Sequence, residues 1–301
     1  MKKKVIIIAG PTAVGKTAAA IRVAQHYQTE IISADSRQCF RELNIGVARP
    51  SPEELQLVPH HFIASHSVHD DVSAAVFEDY AMKVASEIFK NKDLLVIAGG
   101  TGLYIKAFIQ GLDHIPQIDA SIRMSIQTNY ETKGIEWLRS ELISVDPLYI
   151  SSASLDNPQR MKRALEVVTA TGKSIIEYRQ SMKKERPFDI HLIQLEIPRE
   201  ELYQRINMRV DQMIEKGLVK EAEQFYPYRH LNALQTVGYT EFFDYMEGKI
   251  SMGVAIEKIK QHTRNFAKRQ GTWFKHQLHA QVFHPSDEKG LITYLDDKIY
   301  K

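Results

Sequence analysis

The sequence has only one cysteine and contains no long apolar stretch. Cys39 is the only cysteine among 301 residues, so no internal disulfide can form and a reducing compartment is expected. No stretch approaches the roughly 18 apolar residues of a membrane helix. The apolar run after Met1-Lys-Lys-Lys4 is too short for a signal peptide and passes directly into a glycine-containing loop. We therefore expect a cytoplasmic protein with no membrane partner, acting as a monomer.

The composition contains no repeats, no low-complexity tracts and no strong excess of one charge. A net charge of +2 and a pI near 8.4 are mildly basic and do not by themselves predict a nucleic-acid partner. Hydrophobic residues make up 44% of the chain and charged residues 25%, as in ordinary globular proteins. The length suffices for one large domain or two smaller ones with an ample core.

The most specific pattern lies at the start of the chain. Residues 4–9 predict a strand buried on both faces, and residues 18–27 predict a helix. Between them lies G-x-x-x-x-G-K-T, the phosphate-binding loop pattern, which comprises Gly10, Pro11, Thr12, Ala13, Val14, Gly15, Lys16 and Thr17. Its backbone N–H groups form an anion nest at a helix N-terminus. The pattern predicts that Lys16 reaches an outer phosphate and that the Thr17 hydroxyl holds Mg²⁺.

A second short strand, residues 30–34, ends at Asp35. Residues at the carboxyl ends of strands in open α/β sheets line the ligand crevice, so we expect Asp35 to face the phosphate loop. The alternative is that Asp35 only caps a turn or a helix start. The adjacent His60 and His61 cannot both point at one metal, and we interpret them as structural.

A third buried strand, residues 93–98, is followed by Gly99-Gly100-Thr101-Gly102. Enzymes that hydrolyse nucleoside triphosphates usually carry a Walker-B acid at such a strand end. Glycine at this position indicates a phosphate chemistry unlike ordinary ATP hydrolysis.

The middle of the chain predicts helices without a clear strand, and we interpret residues 113–187 as a helical insertion. The P-loop core then comprises residues 1–112 and 188–301. Asn157-Pro158 predicts a helix start and Gly172 its end. In this helix Gln159 and Arg163 share one face, which is either a solvated surface or a contact with phosphate.

The clearest amphipathic helix spans residues 254–277. Its segment from Lys258 to His276 carries lysines and arginines and no acid. A stripe of charge is usually a solvated face, but one sign over five turns favours contact with a polyanion. The candidates for this contact are Lys260, Arg264, Lys268 and Lys275.

Together these motifs resemble the tRNA dimethylallyltransferases, the isopentenylating enzymes of the P-loop class. The resemblance spans almost the whole chain. It is carried by Gly10-Pro-Thr-Ala-x-Gly-Lys-Thr17, Asp35-Ser-x-Gln38, Val58-Pro-His-His61, Gly99-Gly-Thr-Gly-Leu-Tyr104, Gln159-Arg-x-x-Arg-Ala-Leu-Glu166, Val237-Gly-Tyr239 and Thr263-Arg-x-x-Ala-Lys-Arg-Gln-x-Thr-Trp-Phe274. The chain departs from the family pattern at Cys39-Phe40, where Val-Tyr is expected, and at Val47, where threonine is typical.

The resemblance implies an α/β fold with a P-loop NTPase-like parallel sheet flanked by helices and a helical insertion domain that closes over RNA. It implies transfer of a dimethylallyl group from its diphosphate to the exocyclic N6 amine of the adenosine 3′ of a tRNA anticodon. Lys16, Thr17 and Mg²⁺ would stabilise the leaving diphosphate, with Arg163 as a further clamp, and Asp35 would be the general base. The residues that would contact the tRNA anticodon stem-loop are Asp35, Ser36, Arg37, Gln38, Thr101, Arg123, Gln159, Arg160, Met161, Lys162 and Arg163.

Three other functions remain open at this point. A small-molecule P-loop kinase would place ATP in the loop and use Asp35 as the base on a substrate hydroxyl. An enzyme that isopentenylates free adenine nucleotide would share the donor. The basic helix argues against both, since a small substrate does not need it, and a non-enzymatic tRNA-binding module would have no use for the phosphate loop.

Overall fold

The structure is a computed structural model that describes residues 2–113, 115–153, 155–179 and 184–300. The chain divides into two compact units. The first comprises Met1–Gln110 and Glu185–Lys301, and the second comprises Gly111–Lys184. The insertion predicted from the sequence was residues 113–187.

The elements follow one another as strands and helices that alternate through the first unit and as helices alone in the second. In chain order they are β1 Lys3–Ala9, α1 Lys16–His26, β2 Ile31–Ser33, α2 Pro52–Leu57, β3 His60–His61, α3 Ala74–Ile88, β4 Leu94–Gly99, α4 Gly102–Gln110, α5 Ala120–Val145, α6 Pro147–Ser152, α7 Pro158–Thr171, α8 Ile175–Tyr178, β5 Phe188–Leu195, α9 Arg199–Glu215, α10 Leu218–Phe225, α11 Thr240–Met246, α12 Met252–Gln277, β6 Gln281–Phe283 and α13 Glu288–Tyr300. Short 3₁₀ helices lie at Tyr226–Tyr228 and Asn232–Leu234.

The sheet of the first unit has six strands, all parallel, in the order β3-β2-β4-β1-β5-β6. This is the α/β fold that the sequence predicts. Because the strands are parallel, the carboxyl ends of β1, β2 and β4 meet at one edge of the sheet. The phosphate loop, Asp35 and Thr101 follow these three strands, so the topology brings them to one edge.

The buried strands explain the two-sided core. Side chains alternate between the faces of a strand, so Val5 and Ile7 of β1 join one apolar cluster while Ile6 and Ile8 join the other. Helices α3, α4 and α11 pack in the first cluster, and α1 and α13 pack in the second. Helices α9 and α12 contribute side chains to both clusters.

The second unit has its own core of buried residues, which include Leu138, Leu142, Tyr149 and Met161. The predicted bounds of α7 match its caps, since the Asn157 side chain accepts from the Arg160 N–H and Gly172 is left-handed at φ 69°. Helix α5 is interrupted at Gly134, whose φ of 76° is not helical.

Several helices were not predicted from the sequence, among them α2, α10 and α13. Helix α2 begins with a capping box at Ser51 and Glu54, a signal that the sequence contains. Among the described residues, no helix combines the length and apolar character that crossing a bilayer requires.

Candidate active site

The phosphate loop links the end of β1 to the start of α1. Gly15 lies at the N-cap of α1 in the left-handed region, with φ 105°, where a residue with a side chain would be strained. The Lys16 ammonium donates to the Pro11 carbonyl at 2.7 Å, so the lysine folds back over the loop. Burial lowers the pKa of Lys16 to about 8, with Asp35 opposing this shift and Arg209 adding to it.

A cavity of about 660 Å³, here called the first cavity, opens over this loop. Its cationic side chains outnumber its acidic ones: Lys16, Arg49, Arg205, Arg209 and Lys216 against Asp35 and Glu54. A cavity with this balance of charge suits a ligand that carries several negative charges.

Helix α9 and its C-cap residue supply three of these cations. Arg205, Arg209 and the C-cap Lys216 line the cavity with Gln212 and Met213, all on the same side of the helix. Burial lowers the pKa of Arg209, while Asp35 and Glu54 favour its charged form. Sequence reasoning missed this face. The i, i+4 spacing of Arg205 and Arg209 is a signal that the two share a helix face, but it does not indicate what that face contacts.

Asp35 both caps a turn and lines the first cavity, the two placements that the sequence left open. Its Oδ1 accepts the backbone N–H groups of Arg37 at 2.9 Å and Gln38 at 3.2 Å, so the carboxylate closes the turn after β2. No other described residue donates a hydrogen bond to Oδ2, and Asp35 lines the first cavity together with Lys16. One carboxylate oxygen therefore shapes the turn while the other remains available as a proton acceptor.

A second cavity, of about 540 Å³, lies next to the first. Its polar lining includes Ser36, Arg37, Thr101, His262 and Arg269. The residues that line both cavities are Thr12, Asp35, Val47, Ala48, Arg209 and Met213. The two cavities therefore share part of their walls, and this shared part includes Asp35.

The turn residues after Asp35 are held by specific partners. The Ser36 N–H donates to the Thr101 hydroxyl at 3.0 Å, and Arg37 donates to the carbonyls of Asn232 and Ala233. The Gln38 amide donates to the Ala48 carbonyl at 2.9 Å. Four predicted site residues, Asp35, Ser36, Arg37 and Thr101, thus lie together on the wall of the second cavity.

The glycine that replaces a Walker-B acid has a steric explanation. A Cβ at Gly99 would lie 2.1 Å from the carbonyl oxygen of Ala34, because the ends of β4 and β2 approach closely. No side chain fits at position 99. The described residues also contain no group of three or more His, Cys, Asp or Glu that could hold a metal ion.

Two of the four basic residues of α12 that were predicted to bind a polyanion are bonded to other residues of the protein. The Lys260 ammonium forms ion pairs with Asp211 at 2.8 Å and Glu257 at 3.3 Å, and Arg264 donates to Asn207 at 2.6 Å. Both side chains hold α12 against α9, a contact that helical periodicity cannot reveal.

Lys268 and Lys275, the remaining members of that stripe, are exposed. Another face of α12 reaches the site. Gln270, only 9% exposed, accepts from the Thr12 N–H and donates to the Gly100 carbonyl, both at 2.9 Å. It therefore ties the phosphate loop to the end of β4.

The residues of the second unit that were predicted to contact RNA are 123 and 159–163. Arg163 donates to Glu166 at 3.0 Å, and Arg123 lies 3.9 Å from the same carboxylate oxygen. Gln159 and Arg160 are exposed. Met161 is fully buried, and Lys162 is 8% exposed with its ammonium donating to Gln127 at 2.7 Å. The prediction that these last two contact RNA is corrected by their burial in the core of this unit.

The two departures from the expected family pattern differ in location. Cys39 and Phe40 are buried in the core, where burial raises the pKa of the Cys39 thiol to about 12 and leaves it unreactive. Val47, in contrast, lines both cavities. His60, which we interpreted as structural, also lines the first cavity. The Nε2 of His61 lies 2.7 Å from a carboxylate oxygen of Glu30.

Three comparisons with known proteins point to the same family. A family model described as IPP transferase matches residues 38–277. The chain is 44% identical over 297 residues to tRNA dimethylallyltransferase 1 of Bacteroides fragilis, a match that covers 99% of both sequences. It is also similar to the crystal structure of the tRNA isopentenylpyrophosphate transferase of Bacillus halodurans, with a TM-score of 0.73, 34% identity and coverage of 99% and 97% of the two chains. A eukaryotic dimethylallyltransferase acting on tRNA aligns with a TM-score of 0.77 and 26% identity, over 98% of this chain and 77% of that one.

Proposed function

The chain belongs to the IPP transferase family and transfers a dimethylallyl group to tRNA, and from that premise we propose the donor, the acceptor atom and the residues that act on each. The donor is dimethylallyl diphosphate. The acceptor is the exocyclic N6 amine of the adenosine immediately 3′ of the anticodon. One observation carries this proposal: a cationic cavity built on the phosphate loop shares part of its wall, including Asp35, with a second cavity.

The first cavity suits the diphosphate. The loop N–H groups and the Lys16 ammonium would bind its oxygens, and Arg209 would neutralise further charge. Breaking the carbon–oxygen bond places negative charge on the leaving diphosphate, so cations held there lower the barrier of this step. The absence of an acid at Gly99 agrees with a reaction in which no water attacks a phosphate.

Mg²⁺ fits this site as a cofactor. The Thr17 hydroxyl and the Asp35 carboxylate both line the first cavity, and Mg²⁺ is typically held by few protein oxygens together with substrate phosphates and water. Thr17 would hold it, and the ion would supply additional positive charge at the leaving diphosphate.

The second cavity suits an adenine taken out of the anticodon loop. Its volume admits one base, and its lining includes Phe266, an aromatic side chain that is 42% exposed and has the Arg269 guanidinium 5.8 Å from its ring centroid. As the N6 nitrogen attacks the allyl carbon, it must lose a proton. The Asp35 Oδ2 accepts that proton while its Oδ1 remains bonded to the turn.

Arg163 and the other exposed or half-buried residues of the second unit remain proposed RNA contacts of the anticodon stem-loop. We assign the enzyme to the cytoplasm, where its tRNA substrate is available, and propose that it acts as a monomer.

The test is an assay with labelled dimethylallyl diphosphate and three acceptors: unmodified tRNA, tRNA lacking adenosine 3′ of the anticodon, and AMP. The proposal expects label in unmodified tRNA alone, at N6 of that adenosine after nuclease digestion. Label in AMP would favour the nucleotide-modifying alternative. Transfer from ATP with none from dimethylallyl diphosphate would favour a kinase.

A further inference from the structure

The glycine-rich turn after β4, residues 99–102, lies against one face of α12. A Cβ at Gly100 would lie 2.4 Å from the Nε2 of Gln270, and a Cβ at Gly102 would lie 2.4 Å from the ring of Trp273. Gln270 and Trp273 are three positions apart on α12 and therefore share a helix face. The two glycines leave room for that face.

Gln270 bonds two segments at once. Its Oε1 accepts the N–H of Thr12 in the phosphate loop, and its Nε2 donates to the carbonyl of Gly100, both at 2.9 Å. A glutamine amide carries an acceptor and a donor, so one side chain satisfies both backbone groups. Because Gln270 is only 9% exposed, water is a poor substitute for it.

The same turn holds the backbone on both sides of Asp35. The Thr101 N–H donates to the Ala34 carbonyl at 3.1 Å, and the Thr101 hydroxyl accepts from the Ser36 N–H at 3.0 Å. Asp35 is the residue between these two bonds. The turn after β4 is therefore bonded to the phosphate loop through Gln270 and to the backbone of the proposed base through Thr101.

We propose that Gln270 is a positioning residue that sets the distance between the phosphate loop and Asp35. This inference rests on the proposed function and deepens it. In that reaction the N6 nitrogen attacks the carbon from which the diphosphate departs, and Asp35 takes the N6 proton. The loop holds the leaving group and the turn after β2 holds the proton acceptor. The two must therefore keep one relative geometry while one bond forms and the other breaks.

The loss of this bridge should affect the chemical step. A misplacement of about 1 Å between reacting groups can reduce a rate on the order of 100-fold, even when the change lies away from the reacting atoms. Gln270 uses both ends of its amide to bond the protein backbone. The Lys16 ammonium bonds the Pro11 carbonyl and not Gln270, so donor affinity should depend little on the bridge.

Two variants remove the bridge in different ways. Gln270→Met keeps the length of the side chain and removes both hydrogen-bonding groups. Gly100→Ala keeps the glutamine but places a Cβ 2.4 Å from its Nε2, so the amide must move away. Gly100 does not lie at positive φ, so its backbone conformation is compatible with alanine.

A second buried glutamine provides the matched control, Gln194→Met. Gln194 lies in β5, is 3% exposed, donates its amide to Glu196 and lines neither cavity. Its substitution removes the same chemical groups from the interior without touching the bridge.

The experiment measures three quantities for the wild-type enzyme and each variant. They are the single-turnover rate of transfer with saturating donor and tRNA, the affinity for dimethylallyl diphosphate by equilibrium dialysis, and the affinity for tRNA by filter binding. Thermal unfolding shows that each variant is folded.

We expect the single-turnover rate to fall by about 10–100-fold in Gln270→Met and in Gly100→Ala, with both affinities close to those of the wild-type enzyme. Gln194→Met should keep the wild-type rate. If both folded bridge variants also keep that rate, the inference is wrong. If they lose affinity for the donor or for tRNA instead of rate, Gln270 supports binding and the inference is equally wrong. If the wild-type enzyme itself gives no dimethylallyl-tRNA, the proposed function fails and this inference with it.

Discussion

The two cavities of the first unit share Asp35 in their walls but differ in the elements and side chains that line them. The first is formed by the phosphate loop and by one face of α9, and it gathers cations from both. The second is formed by turns and by α12, and its charges are more evenly balanced, with Arg37, Arg209 and Arg269 against Asp35 and Glu241. This difference is the basis of our proposal that the first cavity binds the leaving diphosphate and the second binds the acceptor base.

The largest effect is expected at Asp35, which lines both cavities. Asp35→Asn retains an Oδ1 that can accept the N–H groups of Arg37 and Gln38, but it cannot take a proton. We expect the rate of the chemical step to fall by about 10²–10⁴-fold, with little change in donor binding or thermal stability. Single-turnover transfer with saturating tRNA measures this rate. A decrease below about tenfold would show that Asp35 only shapes the turn.

Lys16→Ala tests the first cavity alone. The lysine contributes charge where the diphosphate departs, so turnover should decrease by about 10²–10³-fold, as for removal of one stabilising donor in other enzymes. The affinity for tRNA, measured by filter binding without donor, should change little. Equal decreases in turnover and in tRNA affinity would contradict the separation of the two cavities.

The pH dependence of donor binding tests whether Lys16 binds the diphosphate. Burial lowers the pKa of Lys16 to about 8 from 10.5, so the free enzyme loses this positive charge as the pH rises through about 8. The protonated form binds diphosphate. The affinity for dimethylallyl diphosphate, from equilibrium dialysis, should therefore be constant below pH 7 and fall by up to about tenfold per pH unit above pH 8. This fall should be absent in Lys16→Ala, and a wild-type affinity that stays constant up to pH 10 would contradict it.

The smallest effect concerns charges on α12 outside both cavities. Lys268 and Lys275 are exposed, whereas Lys260 and Arg264 bind residues of α9. Replacing Lys268 and Lys275 by glutamine should reduce the slope of log affinity for tRNA against log salt by roughly 0.7–0.9 for each phosphate that is no longer neutralised. The matched pair Lys260→Gln and Arg264→Gln should leave that slope unchanged. If the second pair lowers the slope as much as the first, the internal bonds of Lys260 and Arg264 do not persist in the complex.

The prediction of local structure from the sequence succeeded where the signals are local. The apolar run before Gly10 predicts β1, and Asn157-Pro158 and Gly172 predict the ends of α7 within one residue. Such signals depend on neighbours within one turn or strand, so the residues that carry them are close in the chain. The motifs of the family are short segments of the same kind.

The contacts between α9 and α12 could not be predicted from local sequence signals. Helical periodicity predicts that Lys260 and Arg264 share a face, but not that Asp211 and Asn207 of α9 lie opposite them. Similarly, nothing local indicates that Arg209 reaches the same cavity as Lys16, because the two residues belong to segments nearly two hundred residues apart.

The sequence by itself determined the phosphate loop, the parallel sheet and the family, since each depends on short patterns whose physical causes are local. Only the tertiary structure decided which side chains surround the reacting atoms. It placed the cations of α9 over the loop, gave Asp35 one occupied and one available oxygen, and bonded the phosphate loop to the turn after β4 through Gln270. These arrangements depend on the packing of distant elements, which fills the interior at close-packed density and satisfies buried polar groups across the whole unit at once.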